Sequence, residues 1–424
     1  MTDFARKCVL KAILRVFSGG YSNIVFSESL SSLPAEDRAF AANLFFGVLE
    51  RRITLNEILS EFVRKKPPEE IETILLMGLY QILYMNSVPD FAAVSSSVEL
   101  CRNKKFSGLV NGVLRSVLRK DRDELMKTAE KTPAVKYGVS EKVYKQVKNS
   151  LGEDAEAFFE ASFGASPLYI RVNTNKTDAK NLSEKLEKKG IKSEETLFPY
   201  ALKINYSGDI TNIEEYKEGL FYTSDLSSLA ALSALGVKKG DKVGDMCAAP
   251  GGKSFSAALF GGEVESFDIY ENKVELIKKG AERLSLANVS ASLQSAEEAA
   301  GREEAFDKII CDVPCSGLGV IRRKPEIRYK SENLNELIKK QRKIMLTAAD
   351  CLKKGGRMIY STCSVAKEEN EENVKFFLGV KDGFRLLNCE EFNGIIKRNS
   401  FGSLIVPSDF GSDGFYFAVL EKVK

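Results

Sequence analysis

The 424-residue chain contains no histidine, and no apolar run reaches the roughly 18 residues that a membrane-spanning helix needs. The lack of histidine excludes Ser-His-Asp triads, cysteines activated by histidine and metal sites built on imidazole ligands. Proton transfer must therefore use cysteine, aspartate, glutamate, lysine, tyrosine or water. The formal net charge is only +3, so a nucleic-acid partner cannot be inferred from overall charge and would require local basic patches.

The eight cysteines include no C-x-x-C pair, which argues against a structural zinc site, and we predict no bound metal. The chain begins MTDFARKCVLKAILRVFSGG, an amphipathic helical pattern with charges of both signs and without the apolar core of a signal peptide. We therefore expect a cytoplasmic protein with reduced thiols, most of them buried and inert. No coiled-coil seam is visible, so we expect a monomer.

The length predicts two or three domains. In the first of them, apolar residues recur at helical spacing between breakers such as Gly19-Gly20 and Pro67-Pro68. The segments with this spacing are Phe4–Phe17, Ala39–Ile53, Ile71–Met85, Ala92–Cys101 and Phe106–Leu118. We predict an all-α bundle at residues 1–125, linker helices and a small α+β subdomain at 126–235, and an α/β domain at 236–424.

Basic residues of the helical region cluster at 51–52, 64–66, 102–105 and 115–120. On charge alone, these clusters are either solvated helix faces or a surface for nucleic-acid phosphates. In the subdomain that follows, Leu168–Asn173 and Ala201–Tyr206 have the pattern of strands, and Leu182–Lys189 that of a helix.

From about Gly240, short β-rich runs alternate with helical stretches such as Lys273–Leu286 and Leu334–Leu352. This alternation is typical of a doubly wound, mostly parallel sheet, which binds ligands at the carboxyl ends of its strands. The predicted strands are Lys242–Met246, Val264–Ile269, Ser290–Leu293, Lys308–Cys311, Arg357–Tyr360, Phe384–Leu387 and Phe415–Leu420.

The first of these strands runs into Asp245-Met-Cys-Ala-Ala-Pro-Gly-Gly-Lys253-Ser, where small residues let a ligand approach the backbone at a helix N-terminus. A phosphate loop would need glycine at Cys247, and no G-x-G-x-x-G turn is present. The remaining candidate is a nucleoside-bearing ligand such as S-adenosylmethionine, whose ribose calls for an acid at the end of the second strand. Asp268 stands there, although a helix cap or a surface acid would look the same.

Two further strand ends carry cysteine: Cys315 follows the fourth strand, and Cys363 follows the fifth. In the strand order 3-2-1-4-5, both ends lie beside the first loop, so we expect the two thiols to face one crevice. A thiolate that adds to carbon 6 of cytosine makes carbon 5 nucleophilic towards a sulfonium methyl group, a covalent route that needs no histidine.

Two charged residues suit this chemistry. Asp312 is placed to hydrogen-bond the N3/N4 edge of the base, and Lys253 or a helix N-terminus would increase the thiolate fraction. After transfer, the carbon-5 proton must leave, and a second cysteine or a water that it positions would serve. The spacing alone does not decide which thiol attacks.

These residues carry a resemblance to the RNA cytosine-5 methyltransferases of the NOL1/NOP2/Sun family, and within it to the RsmB-type branch that methylates 16S ribosomal RNA. The matching stretches are CAAPGGK (247–253), DVPCSG (312–317), RRKPEIRY (322–329), GGRMIYSTCSV (355–365, with EEN after it) and PSDFGSDGFYFA (407–418). The helical region is similar to NusB-type RNA-binding domains in DRAFAANLFFGVLERR and LVNGVLR. The resemblance implies a Rossmann-like class I S-adenosylmethionine-dependent methyltransferase domain with a mostly parallel seven-stranded sheet. It also implies an RNA partner, namely 16S rRNA or a small-subunit assembly intermediate.

Carried over by position, the resemblance implies that Cys363 is the nucleophile and that Cys315 assists product release; with Asp312 they form the predicted catalytic set. The implied S-adenosylmethionine contacts are Cys247, Ala248, Ala249, Pro250, Gly251, Gly252, Lys253, Asp268 and Asp312. Arg171 and Asn173 match an R-x-N strand that either contacts RNA or braces the fold.

The chain departs from the family pattern at three places. The acid expected near the adenine is replaced around Ser295, Thr223-Ser224-Asp225 stands where Val-Gln-Asp is usual, and Gly244 stands where a larger apolar residue is common. Two alternatives stay open at this point. One is a cytosine-5 methyltransferase of tRNA or of another rRNA position. The other is a non-catalytic NusB-like ribosome-assembly factor, which would require loss of residues such as Cys363 or Asp312 that are present.

Overall fold

The structure, a computed structural model, describes residues 3–30, 32–298, 301–330, 333–388 and 397–424. The chain forms two compact units, one of Met1–Ala165 with Ile321–Ser331, the other of Ser166–Val320 with Glu332–Lys424. Among the described residues, no helix is both long enough and apolar enough to cross a bilayer.

The first unit is helical, as predicted, with a core contributed mainly by its first seven helices. Its helices are α1 (Asp3–Phe17), α2 (Ser22–Leu30), α3 (Ala35–Glu50), α4 (Arg52–Ser60), α5 (Glu69–Tyr84), α6 (Asp90–Leu100), α7 (Ser107–Arg119), α8 (Arg122–Ala129), α9 (Pro133–Lys136), α10 (Glu141–Leu151) and α11 (Ala155–Ala161). Helix α5 is buried on most of its surface, which is typical of the central helix of a bundle.

The five predicted helices all form, with one difference of extent. The segment predicted as one helix, Ala39–Ile53, divides at Arg51, whose backbone leaves the helical conformation (φ −106°, ψ 16°). Helices α3 and α4 therefore meet at an angle that the hydrophobic spacing does not reveal.

A short segment from far along the chain completes the first unit. Arg328 is fully buried and donates hydrogen bonds to the carbonyl oxygens of Tyr137 (2.8 Å) and Ser162 (2.7 Å). Glu326 is also buried and accepts from the backbone N–H of Ser22 (3.2 Å). Because burying such charged groups is costly unless they are hydrogen-bonded, these contacts bind the 321–330 segment firmly to the helices.

The second unit begins with a small antiparallel sheet in the order β2-β3-β1-β4. Its elements are β1 (Leu168–Val172), α12 (Ala179–Glu187), β2 (Lys192–Glu195), β3 (Ala201–Asn205), α13 (Glu214–Lys217) and β4 (Phe221–Thr223). The two strands and the helix predicted in this region are confirmed.

The large sheet of the second unit contains all seven predicted strands and two more. The strands are β5 (Lys242–Asp245), β6 (Glu263–Asp268), β7 (Val289–Leu293), β8 (Phe306–Asp312), β9 (Leu352–Thr362), β10 (Phe384–Leu387), β11 (Lys397–Asn399), β12 (Gly402–Ile405) and β13 (Phe415–Lys422). The order is β11-β12-β13-β9-β8-β5-β6-β7, with β10 also paired to β13. Strands β7, β6, β5, β8 and β9 are parallel in the predicted order 3-2-1-4-5, and β13 pairs antiparallel with β9.

Helices cover both faces of this sheet. They are α14 (Leu226–Leu235), α15 (Gly252–Leu259), α16 (Glu271–Leu284), α17 (Leu334–Cys351), α18 (Glu371–Val380) and α19 (Pro407–Phe410). Successive residues of β8 alternate between the faces: Ile310 packs in the core under α14–α16, whereas Ile309 and Cys311 pack in the core under α17 and α18. At Gly244, a Cβ would lie 2.9 Å from the Phe306 ring, so this ring fills the space that a larger side chain would take.

Candidate active site

The carboxyl ends of β5, β8 and β9 bring three sequence motifs together. Asp312 pairs with Ser361 in the register of β8 and β9, and Asp245 pairs with Ile310 in that of β5 and β8. The loop after β5 therefore lies beside the segment that carries Asp312, as the strand order predicted.

The segment Cys247–Lys253 forms a tight loop into α15. The backbone N–H of Ala248 donates to the carbonyl of Phe267 on β6 (2.9 Å), and that of Gly251 donates to Ala248 (2.7 Å). Gly251 has φ +111°, a conformation that other residues rarely adopt. The N-terminal N–H groups of α15 follow directly, so the loop presents backbone donors at a strand tip.

Two acids flank this loop. Asp245 is buried and accepts from the Ser254 hydroxyl at Oδ2 (2.6 Å), whereas its Oδ1 has no partner among the described residues. Burial raises the pKa of Asp245 to about 7, against the opposing effect of the Ser254 hydrogen bond. Asp268, at the tip of β6, accepts from the N–H of Tyr270 (3.1 Å) and lies 3.9 Å from the Lys273 ammonium.

Asp312 is the centre of a charged group. Its Oδ2 lies 2.6 Å from the Lys253 ammonium, and its Oδ1 accepts from the Ser361 hydroxyl (2.7 Å). Burial lowers the pKa of Lys253, but the charges of Asp312, Asp245 and Cys363 outweigh burial and leave this pKa above its ordinary value. Lys253 is therefore a stable cation beside the strand tips.

The two predicted thiols are in direct contact, with Cys315 Sγ and Cys363 Sγ 3.1 Å apart. The hydrogen bond to Cys363, together with burial, raises the pKa of Cys315 well above its ordinary value. Either sulfur can be the donor in this contact, and the raised pKa favours Cys315 as the one that carries the proton. Such a donor stabilises negative charge on Cys363, which is the charge that a nucleophilic thiol needs.

The other thiols are not placed for this chemistry. Burial raises the pKa of Cys247 and Cys311, so both stay protonated. Of the seven described cysteines, all free, Cys101, Cys311 and Cys351 are fully buried and the other four are partly buried. Cys389 lies outside the described residues.

Comparison with known proteins identifies the fold and its family. The model of the 16S rRNA methyltransferase RsmB/F family matches residues 232–421, that of the NusB family matches 4–119, and that of the ferredoxin-like domain of RsmF/B-like methyltransferases matches 141–211. The probable ribosomal RNA small subunit methyltransferase B of Bacillus subtilis (strain 168) is 32% identical over 98% of both chains. The chain belongs to the RsmB/F methyltransferase family. It is thus an S-adenosylmethionine-dependent RNA methyltransferase.

Solved structures agree with this assignment. The crystal structure of PH0851 has the same fold, with a TM-score of 0.82, 24% identity, and coverage of 100% of this chain and 99% of that one. A methyltransferase homolog protein from Pyrococcus horikoshii matches with a TM-score of 0.60 and 27% identity, over 68% of this chain and 97% of its own.

The middle subdomain of this RsmB/F chain shows whether the R-x-N strand contacts RNA or braces the fold. Arg171 is fully buried, donates to the carbonyl of Val172 (2.7 Å) and stacks on the Tyr200 ring at 3.8 Å. Asn173 is buried as well and donates to the carbonyls of Gly219 (2.9 Å) and Leu284 (2.8 Å). Both side chains brace the fold, because neither is accessible to RNA.

Some residues at the RsmB/F site were not found by sequence reasoning. Glu369 is fully buried beside Cys315, within the acidic run KEENEEN, where no pattern separates a buried glutamate from solvated ones. Gly319 and Gly414 pass so closely that a Cβ on Gly319 would lie 1.9 Å from the Gly414 carbonyl oxygen. The tip of β7 carries Gln294 and Ser295 rather than an acid, in line with the departure noted in the sequence.

Proposed function

We propose that the protein transfers a methyl group from S-adenosylmethionine to carbon 5 of a cytosine in 16S rRNA, through a transient bond between Cys363 Sγ and carbon 6 of the base. The observation that carries this proposal is the 3.1 Å contact of Cys363 with a Cys315 thiol that keeps its proton. A hydrogen-bond donor beside the attacking sulfur stabilises the thiolate that the covalent route uses in a chain without histidine.

The loop after β5 has the features that S-adenosylmethionine binding requires. Its predicted contacts Cys247–Lys253 present backbone N–H groups, and Asp268 ends the neighbouring strand where ribose hydroxyls donate. The Asp245 Oδ1 is a buried polar atom with no hydrogen-bond partner among the described residues. When bound, S-adenosylmethionine supplies an electrophilic methyl group.

The residues around the thiols prepare the base for attack. Each oxygen of the Asp312 carboxylate keeps a free lone pair after binding Lys253 and Ser361, and these accept hydrogen bonds from the N4 amino group of cytosine and from N3 once it is protonated in the adduct. The Lys253 cation and the Cys315 S–H favour the thiolate of Cys363. Addition of this thiolate to carbon 6 breaks the C5=C6 double bond and makes carbon 5 the nucleophile.

Release restores the double bond. Once carbon 5 carries the methyl group, its proton leaves to a water beside Cys315, and the electron pair of that C–H bond expels the Cys363 sulfur. The net reaction exchanges one hydrogen of the base for a methyl group and delivers one proton to solvent.

The RNA partner is expected to contact the helical unit, the NusB-like domain proposed for residues 1–125, with 126–235 as a second RNA-binding part and 236–424 as the catalytic part. Arg102, Lys104 and Lys105 are exposed and form no salt bridge with any residue that the structure describes. Free cations of this kind bind phosphates. The full-length match to small-subunit rRNA methyltransferases supports 16S rRNA as the substrate.

The test is transfer of labelled methyl from S-adenosylmethionine to unmethylated 16S rRNA, followed by mapping of the modified base. Cys363→Ala should abolish transfer, and Cys315→Ala should accumulate an RNA–protein adduct that survives denaturation. Cys351→Ala is the matched control, since its thiol lies away from the site at the end of α17. Normal turnover in Cys363→Ala with no adduct in Cys315→Ala would reverse the two roles. Label found in tRNA or elsewhere in rRNA would reject the proposed substrate.

A further inference from the structure

The loops that carry the two thiols are each fixed on both sides by buried side chains. Glu369 Oε1 accepts from the backbone N–H of Ser316 (2.9 Å), and its Oε2 accepts from the Ser316 hydroxyl (2.5 Å). Gln341 Nε2 donates to the same Oε1 (2.9 Å) and also to the carbonyl of Pro314 (2.9 Å). Pro314 and Ser316 are the two neighbours of Cys315, so Glu369 fixes both sides of this residue, one of them through Gln341.

Asn370 fixes the residues on both sides of Cys363 by hydrogen bonds. Its Oδ1 accepts from the Thr362 hydroxyl (2.5 Å), and its Nδ2 donates to the carbonyl of Ser364 (2.9 Å). Thr362 and Ser364 are the two neighbours of Cys363. The two halves are joined where the hydroxyls of Ser316 and Ser364 meet at 3.0 Å.

The burial of this pair indicates a role beyond folding. Glu369 is 0% exposed and Asn370 is 2% exposed, and Glu369 forms no salt bridge within the described part of the chain. A buried carboxylate without a cation costs several kcal/mol and is tolerated here because three donors bind it. An apolar residue would avoid the cost of burying a charge, but it would leave the Ser316 N–H and one N–H of the Gln341 amide without an acceptor.

We propose that the consecutive residues Glu369 and Asn370 are positioning residues that set the close approach of the two thiols, Glu369 by fixing Cys315 and Asn370 by fixing Cys363. The inference rests on the proposed function for its catalytic consequence. Neither residue touches a reacting atom. The Glu369 charge has a second effect: together with Cys363, it favours the protonated form of Cys315.

Substitutions at Glu369 and Asn370 should differ in their effect on the RNA adduct. Glu369→Ala frees the Cys315 loop, so turnover should fall at least about 100-fold while the RNA adduct accumulates as in Cys315→Ala. Asn370→Ala frees the Cys363 loop, so the adduct and turnover should both fall by at least about 100-fold. Glu372→Ala, which removes an exposed carboxylate from the first turn of α18 next to the pair, is the matched control and should behave as wild type. A variant that merely unfolds would lose its thermal unfolding transition as well as both adduct formation and methyl transfer.

A second measurement needs no RNA and so stands apart from the proposed function. Glu369→Gln keeps the shape of the side chain and removes its charge; the groups that face Cys315 are then Cys363 and an amide. The pH midpoint for alkylation of Cys315, read by mass spectrometry, should move to lower pH in Glu369→Gln and stay unchanged in Glu372→Gln. An unmoved midpoint, or loss of the adduct together with turnover in folded Glu369→Ala, would overturn the inference. If Cys315→Ala itself forms no adduct, the release step of the proposed function fails instead.

Discussion

Replacement of Asp245 by asparagine should change how the stability of the second unit depends on pH. Asp245 is 1% exposed, and its pKa is raised from 3.8 to about 7 by burial. The folded protein therefore keeps this proton up to about pH 7, whereas the unfolded chain releases it near pH 4. Folding takes up a proton between these values, so the contribution of Asp245 to stability decreases as the pH rises through this window.

The size of the effect follows from the difference between the two pKa values. About three pH units correspond to about 4 kcal/mol, which is the expected loss of stability of the wild type relative to Asp245→Asn between pH 4 and pH 8. The asparagine side chain in Asp245→Asn is neutral from pH 4 to pH 8, so any cost of its hydrogen bonding is the same at every pH in this range. The other carboxyl groups titrate alike in both proteins, so their contribution cancels in the difference.

The assay has to report on the second unit alone, since a chain of two units need not unfold in a single transition. Urea unfolding read by pulsed hydrogen exchange and mass spectrometry of peptides from residues 242–268 meets this requirement. The midpoints of wild type and Asp245→Asn should diverge as the pH rises from 4 to 8. If the difference in unfolding free energy stays constant within about 1 kcal/mol over this range, Asp245 is not a carboxyl group that folding keeps protonated.

Two further substitutions test the geometry of the site. Gly319→Ala places a Cβ 1.9 Å from the Gly414 carbonyl oxygen, so the loop after Cys315 must move by about 1 Å and methyl transfer should fall about 100-fold. Gly379→Ala, in α18 with no atom within 4 Å of the new Cβ, is its control and should keep full activity, and equal activity of the two variants would show that the close approach is not needed. Lys253→Met removes the cation beside Asp312 and should lower kcat/KM for methyl transfer about 100-fold, whereas an unchanged value would exclude Lys253 from the reaction.

Much of the fold can be predicted from local patterns in the amino-acid sequence. Helical spacing locates α1, α3, α5, α6 and α7, and β-rich runs between helices locate the parallel strands and their order. The loop at 247–253 and the thiols at 315 and 363 are visible because small residues and cysteines directly follow predicted strands. Parallel strands bring their carboxyl ends to one edge, so position along the chain predicts proximity.

Other features depend on contacts that no local pattern encodes. The segment 321–330 lies between two parts of the α/β sequence, yet its buried Arg328 and Glu326 bind the helices of the first unit. The sequence leaves open whether Arg171 contacts RNA or braces the fold, and its burial decides for the brace. In both cases, the partners are backbone carbonyls or N–H groups, which are present at every residue and carry no sequence signal.

The sequence alone established the class of the elements with clear periodicity, the order of the five parallel strands and the motifs at their carboxyl ends, because periodicity and strand-end position are local properties. Only the tertiary structure decided which of the acids in KEENEEN is buried, that Glu369 and Asn370 reach the two thiol loops, and that the pKa of Cys315 is raised. The physical reason is that burial, hydrogen-bond partners and the pKa of a group depend on atoms brought together from distant parts of the chain.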